Sequence, residues 1–277
     1  MALGPWITEA DRDAVDRVLM SGDLMSGDIV AQLEGELAAY FGKRHCVCVS
    51  SGTAALECAF VATGEGSEID ANGFVAILSA ARAAGEDPVF HSSGTQTDLL
   101  GIEDEPGTRV HDCCHRFDRE AAHAEVSCFS FAPNKFIAAC GGCLVTDDSV
   151  VASIARQYRN HGRDGGPEVF REGRNLRMPE LSGALALSQF RRIDEILARR
   201  KQVAAWYDEV TGQRLAETRA SWFLYPWCRP DTPAPKGQRT MRDFRLFGST
   251  LDIDDCTWLM PIWPTMTRAE VEEACRR

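Results

Sequence analysis

The sequence predicts an α/β fold, a mostly parallel sheet layered between helices, followed by a small C-terminal α+β unit. Two observations carry this. Short apolar runs such as HCVCVS (45–50) and SCFSF (127–131) read as strands buried on both faces. Each ends in a turn built from Gly, Asp, Ser or Asn, after which apolar residues recur at helical spacing. Repeated strand–turn–helix alternation is the pattern of crossover connections. A boundary near residue 195 divides a large unit (1–195) from a small one (196–277).

Taken in order, ITEADRDAVDRVLM places Thr8 as the N-cap of a helix with Val15, Val18 and Leu19 on one face. The duplicated MSGD that follows reads as two turns. A helix over VAQLEGELAAYF ends at Gly42, the strand 45–50 comes next, and SGTAALECAFVAT forms a helix closed by Gly64. Residues 74–84 form another helix, PVFH (88–91) a short strand, and GTRVHD a strand ending at Asp112. SCFSF and GGCLVTDD are further strands, the second leading to an Asp148-capped helix through Tyr158. From Pro179 to about Trp206, apolar spacing predicts one long helix, with the basic cluster RRIDEILARRK on its solvated face. Residues 222–240 read as loop and short strand, and a Thr267-capped helix closes the chain.

Composition narrows the function. A net charge of −11 argues against nonspecific nucleic-acid binding and against an anionic membrane surface. No run approaches the ~20 apolar residues of a membrane helix, and the N-terminus lacks a leader pattern, so a cytoplasmic location is expected. Eleven cysteines, several of them inside apolar runs (Cys46, Cys48, Cys128), fit reduced thiols acting as small hydrophobes.

Metal binding is the first chemistry to weigh. HDCCH (111–115) and CGGC (140–143) have ligand-like spacing, but alternation along a strand sends Cys113 and Cys114 to opposite faces, and an apolar run after CGGC suits a strand entry. No metal is expected. The turn SSGT after a strand, opening a helix, offers amides and hydroxyls to an anion. Ser130 lies at another strand end. Among four lysines, Lys43 precedes a strand, Lys201 lies on the basic helix and Lys236 sits in a Pro-rich loop, leaving Lys135 after a buried strand and turn. Its alternative is a surface amine. Asp112 ends its strand where open α/β sheets bind ligands, its alternative being an N-cap. A lysine, a carboxylate and an anion cradle together suit pyridoxal 5′-phosphate (PLP).

On these residues the chain resembles the DegT/StrS-type family of PLP-dependent sugar aminotransferases, which have the aspartate aminotransferase fold (fold type I). The motifs run in order through ITEADRDAVDRVLMSGDLMSG, VSSGTAALECAF, AAGEDPVF, VHDCCH, SFAPNKFIAACGGCLVTDD, YRNHGR and GRNLRMPELSGALALSQFRRIDEILARR. The resemblance implies that Lys135 holds PLP as a Schiff base and moves protons, that Asp112 pairs with the pyridinium nitrogen, and that His115 approaches the ring. It implies that Phe74 stacks on the pyridine, that Gly52, Thr53, Ala54 and Ser130 surround the phosphate, and that Asn175, beside Arg177, reaches the phosphate of a second subunit, which requires a homodimer with shared sites.

Two departures stand out. Only residues 92–109 separate PVFH from VHD, where family members have considerably more, so at least one strand of the usual sheet is expected to be missing. His111 stands where an acidic residue often precedes the aspartate. The implied activity is transfer of an amino group from an amino acid, glutamate being the expected donor, to a keto-sugar, nucleotide-linked by family expectation. The alternatives are another PLP reaction (lyase, racemase or dehydratase, the last disfavoured by Lys135) and a noncatalytic PLP-fold partner protein.

Overall fold

The computed structural model describes residues 4–25, 27–70, 73–91, 109–218, 221–229 and 257–276. The central sheet has four strands in the order β1 (His45–Val49), β6 (Gly142–Thr146), β5 (Val126–Ser130) and β4 (Val110–Asp112). β4 and β5 pair in parallel, while β6 runs antiparallel to both β1 and β5. Three of the four strands therefore point the same way, and their C-terminal ends share an edge with the start of β6. A parallel pair, β2 (Glu68–Asp70) and β3 (Val89–His91), stands apart from this sheet.

Alternation along the strands builds the layers. Cys46, Cys48, Phe129, Cys143 and Val145 face a core shared with α2 (Ile29–Phe41) and α6 (Glu180–Phe190). Val47, Val49, Val126, Cys128 and Leu144 face the opposite core, packed by α3 (Gly52–Thr63), α4 (Val75–Ala83) and α5 (Ser149–Tyr158). This is the expected three-layer αβα arrangement. Cysteines 46, 48, 113, 128 and 143 are buried free thiols, and no described helix is long and apolar enough to cross a membrane.

Helix ends fall where turn residues place them. Gly42 and Gly64 close α2 and α3 at φ of 65° and 72°, a backbone region open to glycine. Asp148 accepts from the amides of Val150 and Val151 to start α5. Thr8 starts α1 (Glu9–Ser21), donating its amide to Asp11 at 2.8 Å. The apolar face of α1 differs from expectation, because Leu19 is 54% exposed. The apolar contact of α1 with α6 is made by Ala14 and Val18, and the third place on that face belongs to buried Asp11, which accepts from Ser188 Oγ on α6 at 2.6 Å.

The long basic helix is also corrected. It is two helices, α6 and α7 (Ile193–Thr211), broken at Arg191–Arg192. The two arginines pull in different directions: Arg191 pairs with Glu36 on α2 at 2.6 Å, and Arg192 pairs with the buried Asp11 on α1 at 2.8 Å. Beyond the break, α7 leaves the sheet and packs with α8 (Arg268–Arg276) and the antiparallel pair β7 (Leu224–Cys228) and β8 (Thr257–Pro261) around Val203, Tyr207, Trp222 and Tyr225. The basic cluster is not simply a solvated face, since Arg200 is 1% exposed. Lys236 and most of the Pro-rich stretch lie outside the described residues.

α2 has an unusual start. Its Asp28 side chain makes no cap; Glu180 at the head of α6 accepts from the amides of Ile29 (3.0 Å) and Val30 (3.3 Å) instead. Glu180→Ala should therefore cost ~1–3 kcal/mol by stranding two amides. Glu180→Gln, which keeps an acceptor, should recover most of it. Denaturant titration of the three proteins measures the difference, and equal midpoints would show that the cap contributes nothing.

Candidate active site

The site grows from the turn between β1 and α3. Ser50 donates its amide to Leu176 O (2.8 Å), and Ser51, in extended conformation, becomes the N-cap of α3 by accepting from Ala54 N (3.1 Å). Ala54, also expected at the phosphate, lies in the same first turn, buried and with its amide donated to the cap. Gly52 and Thr53 remain as first-turn residues whose amides have no intrahelical acceptor, at the positive end of the helix dipole. That geometry favours an anion.

Glycine is required twice here by close approach. A Cβ on Gly52 would stand 2.7 Å from Ser130 Cβ and 3.2 Å from Cys114 Sγ. A Cβ on Gly142 would stand 2.6 Å from Gly52 N and from the carbonyl of Ser51. The ends of β1 and β5, the turn after β4 and the start of β6 therefore meet at the head of α3.

Asp112 ends β4 opposite Cys128 and accepts from Cys114 N at 3.0 Å, which orders the turn that follows. Burial pushes the Cys114 thiol well above its ordinary pKa; the Asp112 charge raises it further and Lys135 lowers it, so these three groups stand within electrostatic reach of one another. The two adjacent thiols diverge, Cys113 turning into the core to donate to Ala121 O at 3.2 Å. Among the described residues no cluster of His, Cys, Asp and Glu is arranged to hold a metal ion.

Lys135 lies on a turn closed by its own amide to Ala132 O (2.9 Å), and Ser130 Oγ accepts from Ala132 N (3.3 Å). Its Nζ stands 3.9 Å from the centroid of the Phe223 ring, and the His115 ring stacks on the same phenyl at 4.4 Å and 7°. Phe223 is the residue that sequence reasoning missed. It precedes β7 in a stretch read only as loop and short strand, and no local pattern marks it. The structure thus gathers Gly52, Thr53, Asp112, His115, Ser130 and Lys135 at one sheet edge. Phe74 stands at the N-cap position of α4 and is 40% exposed, and Asn175 is exposed, accepting from Arg177 Nε at 3.2 Å, on a segment that bridges β1 at Val49.

A three-layer αβα unit with a lysine, a carboxylate and a helix-head anion cradle at the C-terminal strand edge defines the fold-type-I class of transferases. Comparison places the chain more narrowly. The sequence profile of the DegT/DnrJ/EryC1/StrS aminotransferase family matches residues 5–104 and 107–232, and the chain belongs to this family. It is 28% identical to a UDP-2-acetamido-2-deoxy-3-oxo-D-glucuronate aminotransferase of Pseudomonas aeruginosa, over 70% of this chain and 67% of that protein. It is 30% identical to the erythromycin biosynthesis sensory transduction protein EryC1 of Saccharopolyspora erythraea, over 76% of this chain and 72% of that one. Among solved structures, Helicobacter pylori PseC, an aminotransferase involved in the biosynthesis of pseudoaminic acid, superposes with a TM-score of 0.81 at 20% identity, covering 100% of this chain and 97% of that one.

The crowding at Gly52 is testable. Gly52→Ala should destabilise the protein by ~1–3 kcal/mol through overpacking against Ser130. Adding Ser130→Gly should return part of that loss, because the two sites share one contact. Thermal unfolding of the four proteins closes the cycle, and strict additivity would place the Gly52 Cβ elsewhere.

Proposed function

We propose that the chain binds PLP at the edge formed by β1, β4 and β5 and transfers an amino group from an amino acid to a keto-sugar. The observation that carries this reading is the convergence of Lys135, Asp112 and the α3 head on one edge. Ligands of open α/β sheets bind outside the carboxyl ends of the strands. The residues fit the cofactor: Gly52 and Gly142 keep the cradle clear of Cβ atoms, Gly52, Thr53 and Ser130 supply its phosphate donors, and Asp112 supplies an anion for a protonated ring nitrogen.

When bound, PLP supplies a carbonyl that takes up an amine and a ring that accepts electrons. The chain supplies the rest. Asp112 would keep the ring nitrogen protonated, His115 would approach the ring, and Phe74 would cover one face. Lys135 Nζ would hold the cofactor and would serve as the base that takes a proton from the amine-bearing carbon of the donor and returns one to the acceptor. The acceptor we infer is a nucleotide-linked keto-sugar and the donor glutamate, in line with the names of the sugar aminotransferases among its relatives. The working unit we propose is a cytoplasmic homodimer in which Asn175 of the partner subunit reaches the phosphate.

Lys135→Ala should remove both the visible absorption band of bound PLP and turnover, whereas Lys201→Arg, whose lysine pairs with Glu217 at 2.7 Å on the surface, should change neither. Asp112→Asn should fold and hold some PLP but lose ~3 kcal/mol of transition-state stabilisation, on the order of 100-fold in kcat. Assayed with glutamate and a panel of nucleotide-linked keto-sugars, a Lys135→Ala protein with full activity would remove the central assignment.

Assembly gives a separate test. Mixing inactive Lys135→Ala with Asn175→Ala should restore some activity, because in a heterodimer one site collects both defects and the other has neither. Sedimentation should show PLP and dimer stabilising each other. No recovery despite demonstrated subunit exchange, or a monomer that retains PLP tightly, contradicts the shared site.

A further inference from the structure

Arg200, on α7, is 1% exposed and belongs to no ion pair among the described residues. Its guanidinium faces carbonyl oxygens instead, and its two terminal nitrogens divide them between two segments. Nη1 donates to Ile262 O (2.8 Å), Trp222 O (3.2 Å) and Phe223 O (3.5 Å), all in the C-terminal unit. Nη2 donates to Lys135 O (2.7 Å) and Asn134 O (3.4 Å), in the turn that carries the lysine. The Phe136 ring lies 5.0 Å from its central carbon, and Nε has no acceptor. Burial pulls the guanidinium pKa down to about 9, and no neighbouring carboxylate offsets it. An apolar residue of similar volume would avoid that cost.

The two segments so joined are the ones whose side chains meet at the site. Phe223 presents its ring to Lys135 Nζ at 3.9 Å and to His115 at 4.4 Å. Arg200 holds the backbone of both Lys135 and Phe223.

We infer that Arg200 is a positioning residue that locks the Lys135 turn to the C-terminal unit and sets where Lys135 Nζ stands. This rests on Lys135 being the cofactor-bearing lysine. The planar fork is what allows one side chain to serve two segments; an ammonium is a point charge and cannot span both sets of carbonyls. A displacement of the C-terminal unit relative to the sheet is thereby transmitted to Lys135, although none of the residues contacted through their carbonyls is replaced.

The first experiment uses the wild-type protein without added cofactor: native-state hydrogen exchange at increasing denaturant, read by mass spectrometry. Residues 132–137 and 222–225 should open together as one unit while β1, β5 and β6 stay protected. Separate opening of the two segments overturns the proposal, whatever the protein binds. The second uses R200K, which keeps the charge and loses the fork. Its exchange should rise in both segments and not in β1. Loaded with PLP, it should lose kcat on the order of 100-fold, as expected for misplacement of a reacting group. The donor KM should change little, and the pH at which the cofactor band changes should shift. An R200K protein with wild-type exchange, kcat and pH midpoint overturns it too. A wild-type protein that takes up no PLP would sink the proposed function, and the exchange measurements would still decide the role of Arg200. If R200K fails to fold, the wild-type exchange decides it.

Discussion

Everything at the candidate site depends on how closely β6 approaches the head of α3. Gly142 lies so near the Ser51–Gly52 peptide that a Cβ would meet backbone atoms at 2.6 Å. Backbone cannot yield as a flexible side chain can, so this contact fixes the start of α3 against the sheet. Gly52, held there, in turn lies against Ser130 and Cys114, and so brings the ends of β5 and β4 to the same point. Without those two glycines the cradle, the Asp112 turn and the lysine turn would have no common origin. The antiparallel direction of β6 matters for the same reason. It enters the sheet at the edge where its neighbours leave it, which puts its first glycine at the anion cradle.

Much of this was legible in the sequence because it is written locally. The buried strands 45–49 and 126–130 are apolar on both faces and bounded by turn residues, and helix ends at Gly42 and Gly64 need the left-handed backbone that glycine supplies. The positions of Asp112 and Lys135 are marked for a related reason, since Asp112 ends a short strand and Lys135 lies in the turn after a buried one. β2 carries three residues, too few to show a period. The break at Arg191–Arg192 leaves the apolar spacing almost intact, and its cause is tertiary: the two side chains reach different helices. Phe223 has no local mark at all, because its partners, Lys135 and His115, lie far away along the chain.

The basic cluster shows why charge patterning misleads at buried positions. From sequence, RRIDEILARRK is a solvated stripe. In the fold, Arg192 neutralises a carboxylate that is 0% exposed, Arg199 donates to Pro264 O at 2.8 Å, and Arg200 is enclosed. Long cationic side chains can cross an apolar layer and still place their donors on oxygen. Position along a helix does not reveal which of them do so; the location of unpaired carbonyls does.

The unequal use of the two basic residues acquires a physical sense from these contacts. With 26 arginines and four lysines, the chain gives arginine the structural tasks. Arg159 joins Glu34 to the carbonyl of Cys48, Arg174 meets Glu57 at 2.8 Å beside the Tyr158 hydroxyl, and Arg200 binds five carbonyls. A guanidinium suits such work because it presents fixed, planar donors and keeps its charge when enclosed. Lys43 and Lys201 are tied to Asp147 and Glu217 in ion pairs at 3.3 Å and 2.7 Å. Lys135 faces the Phe223 ring at the cradle. Lys135 stands at the sheet edge, next to the Asp112 turn and joined through its backbone to Arg200, while arginine carries the architecture around it.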